Sequence, residues 1–216
     1  MNEKQISYKQ ELMRKSIHLC SLSIPLLYYF TNYETILYFV APLLIITLSV
    51  DVLSKKGMPL HNFIYKYFGS MLREHEKKDG FVLNGASWVL ISAFLIILIF
   101  PKILAVTSFS ILIISDLSAA LIGRRFGVHS LFDKSWEGTF AFFITASIIV
   151  YIYSILENNG NYFLLFGIIS AGLTALTEAA SKMLKIDDNI SVPSVFSISM
   201  WLLHPIALNA GYPYLL

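Results

Sequence analysis

The sequence predicts an all-α protein that crosses a membrane several times, and two observations carry this prediction. Apolar residues make up 56% of the 216 positions and charged residues only 14%, whereas soluble domains carry roughly 25% charged residues. The apolar residues also fall in long windows, several of which approach the roughly 20 residues that a membrane-spanning helix needs. We therefore expect a single integral membrane domain over residues 1–216, built as a helix bundle.

Seven apolar windows are separated by polar connections, and each window is interpreted as one helix, with six or eight helices as the alternatives. The first window follows basic residues, as in a signal peptide, but no small-residue cleavage site comes after it, so we expect it to be retained as a span. The fourth and sixth windows each contain one acidic residue and count as spans only if that acid is accepted there. The windows are 16–31, 35–50, 81–100, 103–123, 139–156, 162–184 and 191–214.

The long connection between the second and third windows contains one further predicted helix. Apolar residues recur there at intervals of three and four, which is the spacing of one helix face. We expect this amphipathic helix to lie on the inner leaflet of the membrane, with packing against the bundle as the alternative. The apolar face consists of Leu60, Phe63, Ile64, Tyr67, Phe68, Met71 and Leu72.

The lysine and arginine residues indicate which side of the membrane each connection faces. Fifteen of the 16 lie in the N-terminal segment or in the connections 51–80, 124–138 and 182–190, and Lys102 alone lies on the opposite side. The positive-inside rule therefore predicts a cytoplasmic N-terminus and an outer C-terminus. The formal net charge of +2 is too small to indicate a nucleic-acid partner.

Two carboxylates, Asp116 and Glu178, lie inside apolar windows and are the first candidates for function. A charge within the bilayer is costly unless it faces a polar cavity or a partner. Each acid stands about seven residues before its window ends, so we expect both about 10 Å inside the cytoplasmic boundary. The alternative for Asp116 is an ion pair that merely joins helices, and the alternative for Glu178 is neutralisation by Lys182, four residues later.

The segment after Asp116 combines small residues with positive charge. Small residues at 119, 120, 123 and 127 share a helical stripe with Asp116, which allows a neighbouring helix to approach closely. Gly127 and Gly138 are expected in tight turns whose backbone N–H groups could face an anion. The carboxylate oxygens of Asp116 suit a divalent metal ion. Positive charge for binding phosphate comes from Arg124, Arg125 and Lys134.

The sixth window runs into a second polar segment, Asp187-Asp188-Asn189, which precedes Pro193. Its carboxylates are further candidates for binding a metal ion. The alternative is that these residues form the N-cap of the last helix, with Pro193 in its first turn.

The entry to the first window carries Arg14 and Lys15, with His18 one turn deeper on the face of Arg14. Taken alone, the two basic residues are typical of flanking residues whose charged ends reach toward the membrane surface. His18 has no such ordinary explanation and is kept as a candidate for proton transfer.

Together these residues resemble the polyprenol/diacylglycerol kinase family, which includes dolichol kinase, phytol and farnesol kinases and the CTP-dependent diacylglycerol kinase. CDP-diacylglycerol synthases carry a similar aspartate–glycine segment that ends in Lys-x-x-Glu-Gly, but the later glycine- and histidine-rich stretch of that family is missing here. The elements that carry the resemblance are Asp116, Ala119, Gly123, Gly127, Lys134-Ser-x-Glu137-Gly138, Glu178, Asp188-Asn189, Pro193 and the N-terminal Arg14-Lys15-x-x-His18.

The resemblance implies a lipid-alcohol kinase that uses CTP and Mg²⁺ at the cytoplasmic membrane face, in the plasma membrane if the protein is bacterial. The acceptor is expected to be a polyprenol, another isoprenoid alcohol or diacylglycerol. Glu178 is expected to accept the proton of the lipid hydroxyl, with His18 as its rival, and Lys134 to neutralise the transferring phosphate. The remaining expected roles are metal binding for Asp116, Asp187 and Asp188, nucleotide binding for Arg124, Arg125, Lys134, Glu137, Gly138 and Asn189, and lipid or phosphate binding for Arg14 and Lys15.

Two other functions are compatible with the same residues. A phosphatidate cytidylyltransferase would also use CTP and would transfer the cytidylyl group instead of the terminal phosphate. An ion-coupled transporter would use buried acids to bind ions or protons. The predicted position of both acids near one membrane face, and the lack of an inverted sequence repeat, argue against transport.

Overall fold

The computed structural model describes residues 8–54, 58–68, 83–132, 134–157 and 160–213. Within these ranges the chain forms a bundle of helices with one very short β-hairpin. The helices are α1 (Tyr8–Cys20), α2 (Ser23–Phe30), α3 (Tyr33–Leu53), α4 (His61–Phe68), α5 (Gly85–Ile99), α6 (Lys102–Phe126), α7 (Trp136–Leu156), α8 (Gly160–Ala179), α9 (Ser181–Leu184) and α10 (Asp188–Asn209). The hairpin strands are β1 (Ser130–Leu131) and β2 (Lys134–Ser135).

Five of the described helices, α3, α6, α7, α8 and α10, are long and apolar enough to cross a membrane, and α5 is a shorter apolar helix. This finding supports the predicted membrane bundle of helices. The count of seven spans and the orientation of the bundle stay predictions. The hairpin was not predicted, and its two strands pair Ser130 with Ser135 and Leu131 with Lys134.

Helix α6 forms the centre of the bundle. It packs against α1, α2, α5, α7 and α10, and 72% of its most apolar stretch is buried, compared with 17% for α3. The other close pairs are α7 with α8, α8 with α10, α3 with α5 and α5 with α10. The largest fully buried side chains include Phe109, Phe142, Phe163 and Phe196, one each from α6, α7, α8 and α10. Because α6 is covered on most sides, an acid on it is held away from lipid.

The first predicted span is interrupted by a turn at Ser21 and Leu22, between α1 and α2. Pro25 explains the interruption, since its ring has no N–H to donate to the carbonyl of Ser21 and would clash with that carbonyl in a continuous helix. Ile24 donates to the Ser21 carbonyl instead, at 3.0 Å. The single helix expected over 16–31 is therefore two shorter helices.

The amphipathic helix expected from Leu60 onward is present as α4 over the described residues His61–Phe68. Its predicted continuation through Met71 and Leu72 lies outside the described residues. The exposed side chains of Phe63 and Tyr67 lie together, with ring centroids 4.9 Å apart. The placement of α4 on the inner leaflet stays a prediction.

Candidate active site

The first ion pair of the candidate site joins α1 to the centre of the bundle. The ammonium of Lys15 contacts the carboxylate of Asp116 on α6, and their side chains are only 6% and 5% exposed. His18 lies on the same side of α1, with its Nδ1 4.0 Å from Oδ2 of Asp116. Lys15 is therefore not a residue that reaches toward the membrane surface, because a buried carboxylate holds its charge inside the protein.

The second ion pair joins three further elements through Lys134, which lies on β2 just before α7. Its ammonium contacts Oε1 of Glu178 at the end of α8 and lies 3.9 Å from Oδ2 of Asp188 at the start of α10. The Glu178 side chain is only 2% exposed. Because the whole of α7 separates β2 from α8 and α10 in the sequence, this lysine joins a distant segment of the chain to both acids.

The two ion pairs belong to one electrostatic cluster, which we call the charge cluster: Lys15, His18, Asp116, Lys134, Glu178 and Asp188. The charge of Asp116 interacts with Asp188, Lys134 and His18 as well as with Lys15. Burial alone would lower the pKa of the Lys134 ammonium, but the carboxylates of Glu178, Asp188 and Asp116 together raise that pKa above its ordinary value. Lys134 is therefore fully protonated at neutral pH.

Two atoms of the charge cluster are buried without a hydrogen-bond partner in the described part of the chain. They are Oε2 of Glu178 and Nε2 of His18. Buried polar atoms in folded proteins are nearly always satisfied by protein, water or a ligand. Each of these two atoms is therefore available to accept a proton from a molecule that enters the cluster, or to donate one to it.

Glycine contacts between α6 and α7 position Lys134. A Cβ on Gly127 would stand 2.7 Å from Oγ of Ser135, and a Cβ on Gly138 would stand 2.9 Å from the carbonyl oxygen of Ala119. The Ser135 hydroxyl lies in the same contact and accepts a hydrogen bond from the Gly138 N–H at 3.2 Å, which caps α7. The small-residue stripe thus has the predicted effect of allowing close helix approach.

The tight turns expected at Gly127 and Gly138 are not formed. Gly127 has φ −66°, an ordinary value for any residue, and Gly138 lies within the first turn of α7. Both glycines are needed for space rather than for backbone freedom. The Gly138 N–H is already used by the Ser135 hydroxyl.

The residues of the segment 187–189 have different roles in the structure. Asp187 is the N-cap of α10, and its Oδ1 accepts from the backbone N–H of Asn189 at 3.0 Å and from the Asn189 side chain at 2.6 Å. The N-cap alternative thus describes Asp187, while Asp188, the first residue of α10, is the one that approaches Lys134. Pro193 lies inside α10, beyond its first turn, because the helix already begins at Asp188.

Four predicted site residues lie at the edge of the charge cluster or outside it. Arg124 and Arg125 are exposed in the last turn of α6, and Arg125 lies over the ring of Phe126 at 5.4 Å. Glu137 accepts from the backbone N–H of His129 at 3.2 Å and contacts its Nδ1 at 2.8 Å. Arg14 is half-buried on α1 next to Lys15.

Glu178 forms its ion pair with Lys134. It does not pair with Lys182, the residue four positions later that helical spacing predicts as its partner. Helix α8 ends at Ala179, so Glu178 lies one residue before the helix end and not seven as expected. Lys182 then falls on the short helix α9 and is exposed. The break at Ala180 removes the i, i+4 geometry that would have joined the two residues.

The predicted metal site concerns the acids of the charge cluster. Among the described residues, no group of three or more His, Cys, Asp and Glu side chains is arranged to hold a metal ion. Mg²⁺ commonly binds through one or two carboxylates and completes its octahedron with waters and substrate phosphates. Asp116 and Asp188 are carboxylates of the type that such a site uses, and in this structure Asp116 contacts Lys15 while Asp188 lies 3.9 Å from Lys134.

Sequence reasoning missed one buried acid, Asp51. It is 3% exposed and accepts from the backbone N–H of Asn84 at 3.0 Å and from the Asn84 side chain. Asn84 in turn caps α5 by accepting from the Ser87 N–H at 3.0 Å. Asp51 stands just beyond the predicted window 35–50, but α3 continues through Leu53, so an N-cap signal at Asn84 and a longer helix could have indicated this contact.

Comparisons with known proteins place the chain among relatives. It is 35% identical to an uncharacterized protein of Rickettsia prowazekii, over 88% of this chain and 92% of the relative. The chain belongs to the family of that protein. No protein-family model matches the chain, and no solved structure matches it.

More distant relatives carry names that describe an activity. The chain is 26% identical to CTP-dependent diacylglycerol kinase 1 of Saccharomyces cerevisiae, over 89% of this chain and 73% of the relative. It is 24% identical to CTP-dependent diacylglycerol kinase 1 of Schizosaccharomyces pombe, over 92% of this chain and 96% of the relative. These likenesses support a lipid-kinase family. The resemblance to dolichol, phytol and farnesol kinases stays a prediction.

Proposed function

We propose that the protein is a CTP-dependent lipid-alcohol kinase that transfers the γ-phosphate of CTP to the hydroxyl of a membrane lipid. The observation that carries the proposal is the contact of Lys134 with both Glu178 and Asp188 in a buried cluster of opposite charges. The distant relation to two CTP-dependent diacylglycerol kinases supports CTP as donor and makes diacylglycerol the first acceptor to test. A polyprenol or another isoprenoid alcohol belongs to the same chemical class.

The charge balance of the cluster bears on how CTP would bind. Asp116, Glu178 and Asp188 supply three carboxylates, whereas Lys15 and Lys134 supply two ammonium groups. A site with excess negative charge repels a triphosphate, so phosphoryl transfer there requires added positive charge. Asp116 and Asp188 would hold Mg²⁺, and Asp187 can contribute only if it gives up its cap of α10. Bound Mg²⁺ supplies the charge neutralisation that the triphosphate needs.

Lys134 is the group proposed to stabilise the phosphate as it transfers. Its raised pKa keeps the ammonium charged, and a lysine acts on phosphate as a mobile point charge. Arg124 and Arg125, exposed on the last turn of α6, would meet the outer part of the nucleotide. Glu137 and Asn189 would complete the proposed nucleotide contacts from the starts of α7 and α10, and Gly138 would take part only if its N–H leaves the Ser135 hydroxyl.

Glu178 is proposed to accept the proton of the lipid hydroxyl. Its Oε1 is held by Lys134 while its Oε2 is buried without a partner among the described residues, so one oxygen is fixed and the other is available. His18 is the rival base, since its Nε2 is also buried without a partner. Arg14 and Lys15 would hold the lipid product's phosphate from α1. A base positioned in this way contributes about 10²–10⁴-fold to a rate.

Transfer of label from CTP to lipid tests the proposal. The purified protein in phosphatidylcholine nanodiscs is supplied with Mg²⁺, with diacylglycerol, a polyprenol or phosphatidate, and with CTP labelled at either the γ- or the α-phosphate. We expect label in the lipid from γ-labelled CTP and none from α-labelled CTP. Lipid label from α-labelled CTP would instead show cytidylyl transfer, and no label from either would contradict an enzyme of this class. Glu34→Gln, an exposed acid at the start of α3, serves as the matched control for changes to acids in the cluster.

A further inference from the structure

A concave apolar groove of about 410 Å³ lies between α7 and α8. Pockets that bind small apolar ligands commonly have volumes of roughly 300–1,000 Å³. The groove is lined by Trp136, Thr139, Phe140, Phe143, Ile169, Gly172, Leu173, Ala175 and Leu176. Its size and composition suit a hydrocarbon chain.

The rim and the floor of the groove differ in exposure. The rim side chains Trp136 and Phe140 on α7 are 54% and 62% exposed, whereas the floor residues Thr139 and Ala175 are 6% and 2% exposed. Gly172 on α8 leaves space in the middle, because a Cβ there would meet only the ring of Phe143, at 3.7 Å. The groove is therefore open along its length toward the outside of the bundle.

The inner end of the groove adjoins the charge cluster. Lys134 stands two residues before Trp136, and Glu178 stands two residues after Leu176. The Lys134–Glu178 ion pair thus joins β2, which leads directly into α7, to the end of α8, next in sequence to the lining residues Trp136 and Leu176. Glu178 also offers the buried oxygen Oε2, which has no partner among the described residues.

We propose that the α7–α8 groove holds the hydrocarbon tail of the lipid whose hydroxyl reaches Glu178. The identity of the headgroup rests on the proposed kinase function, whereas the position of the tail rests on the groove itself. On each helix the first and last lining residues are seven positions apart, which corresponds to about 10 Å along the helix axis. That length is about two thirds of one bilayer leaflet, so the groove holds the part of the tail nearest the headgroup.

Photo-labelling locates the tail without requiring catalysis. The probe is a diacylglycerol with a diazirine in one acyl chain, in phosphatidylcholine nanodiscs. We expect cross-links in the segments 136–143 and 169–176, and we expect unlabelled diacylglycerol to suppress them. Cross-links spread over all exposed helices and unaffected by competitor would overturn the proposal. A disulfide between two copies carrying Phe140→Cys in a Cys20→Ser background would also overturn it, since a second copy would then cover the groove.

A matched pair of substitutions at Gly172 tests the same site by filling it. Gly172→Ala adds only a Cβ at ordinary contact distance from Phe143 and should keep the competed labelling. Gly172→Leu extends into the groove and should abolish the labelling and raise the KM for a long-chain diacylglycerol at least about tenfold, with little change for CTP. An unchanged lipid KM in Gly172→Leu would contradict the groove while leaving the kinase intact. Competed labelling without any CTP turnover would contradict the kinase while leaving the groove intact.

Discussion

At the scale of single residues, Lys134 connects the separate parts of the candidate site. Its ammonium contacts Glu178 and lies close to Asp188, although helical spacing alone would have paired Glu178 with Lys182. A buried carboxylate that loses its cation is strongly destabilising, whereas neutral replacement of both partners is often tolerated. This asymmetry separates the structural role of the pair from its chemical role.

We predict that Lys134→Met lowers the free energy of unfolding by an amount near the lower end of about 3–5 kcal/mol. The loss is at the lower end because a quarter of the Lys134 side chain is exposed. The double variant Lys134→Met/Glu178→Gln should regain most of this stability but no kinase activity. Thermal unfolding in detergent, followed by circular dichroism, measures the first effect, and CTP-dependent lipid labelling measures the second. A single variant as stable as the wild type would show that the ion pair does not form.

The raised pKa of Lys134 predicts how this residue responds to pH. An ammonium whose pKa is raised in the folded state contributes stability that is complete below the ordinary lysine value of about 10.4 and is lost only above it. Lys134 should therefore cause no loss of stability between about pH 6 and pH 10. A fall in the Tm of the wild type across this range that is absent from Lys134→Met would contradict the assignment.

At the scale of helices, the contact of α6 with α7 depends on glycine for space. Gly138→Ala would place a Cβ on α7 only 2.9 Å from the backbone carbonyl oxygen of Ala119 on α6, so we expect marked destabilisation and loss of activity. Gly85→Ala, where nothing lies within 4 Å, is the matched control and should be neutral or stabilising by about 0.5–1 kcal/mol. Equal melting temperatures for the two variants would contradict the close packing of α6 on α7.

The helices also show how far the sequence could predict the structure. Long apolar windows located α3, α6, α7, α8 and α10, because length and composition alone define such helices. They did not locate the break at Ser21 and Leu22 or the end of α8 at Ala179, which depend on Pro25 and on local packing. The acids Asp116 and Glu178 could be chosen because a buried charge in an apolar window is unusual. Lys15 and Lys134 could also be chosen as site residues, but the acid that each one contacts could not be predicted, because those contacts are tertiary.

At the scale of the whole molecule, the distribution of basic residues predicts that the charge cluster faces the cytoplasm. Single cysteines at Arg125 and at Lys102, in a Cys20→Ser background, test this orientation. In intact cells a membrane-impermeant maleimide should label Lys102→Cys and leave Arg125→Cys unlabelled until the membrane is permeabilised. The opposite pattern would place the cluster on the outer side, away from cytosolic CTP, and would contradict the proposed reaction.

The central claim is that phosphoryl transfer takes place within the charge cluster. The most direct test is the initial rate of lipid phosphorylation from γ-labelled CTP by wild type, Glu178→Gln, Asp188→Asn and the control Glu34→Gln, each reconstituted in nanodiscs and confirmed to be folded. We predict that the Glu178 and Asp188 variants lose at least about 10²-fold in rate, while Glu34→Gln retains the wild-type rate. Wild-type rates in both cluster variants would contradict the claim.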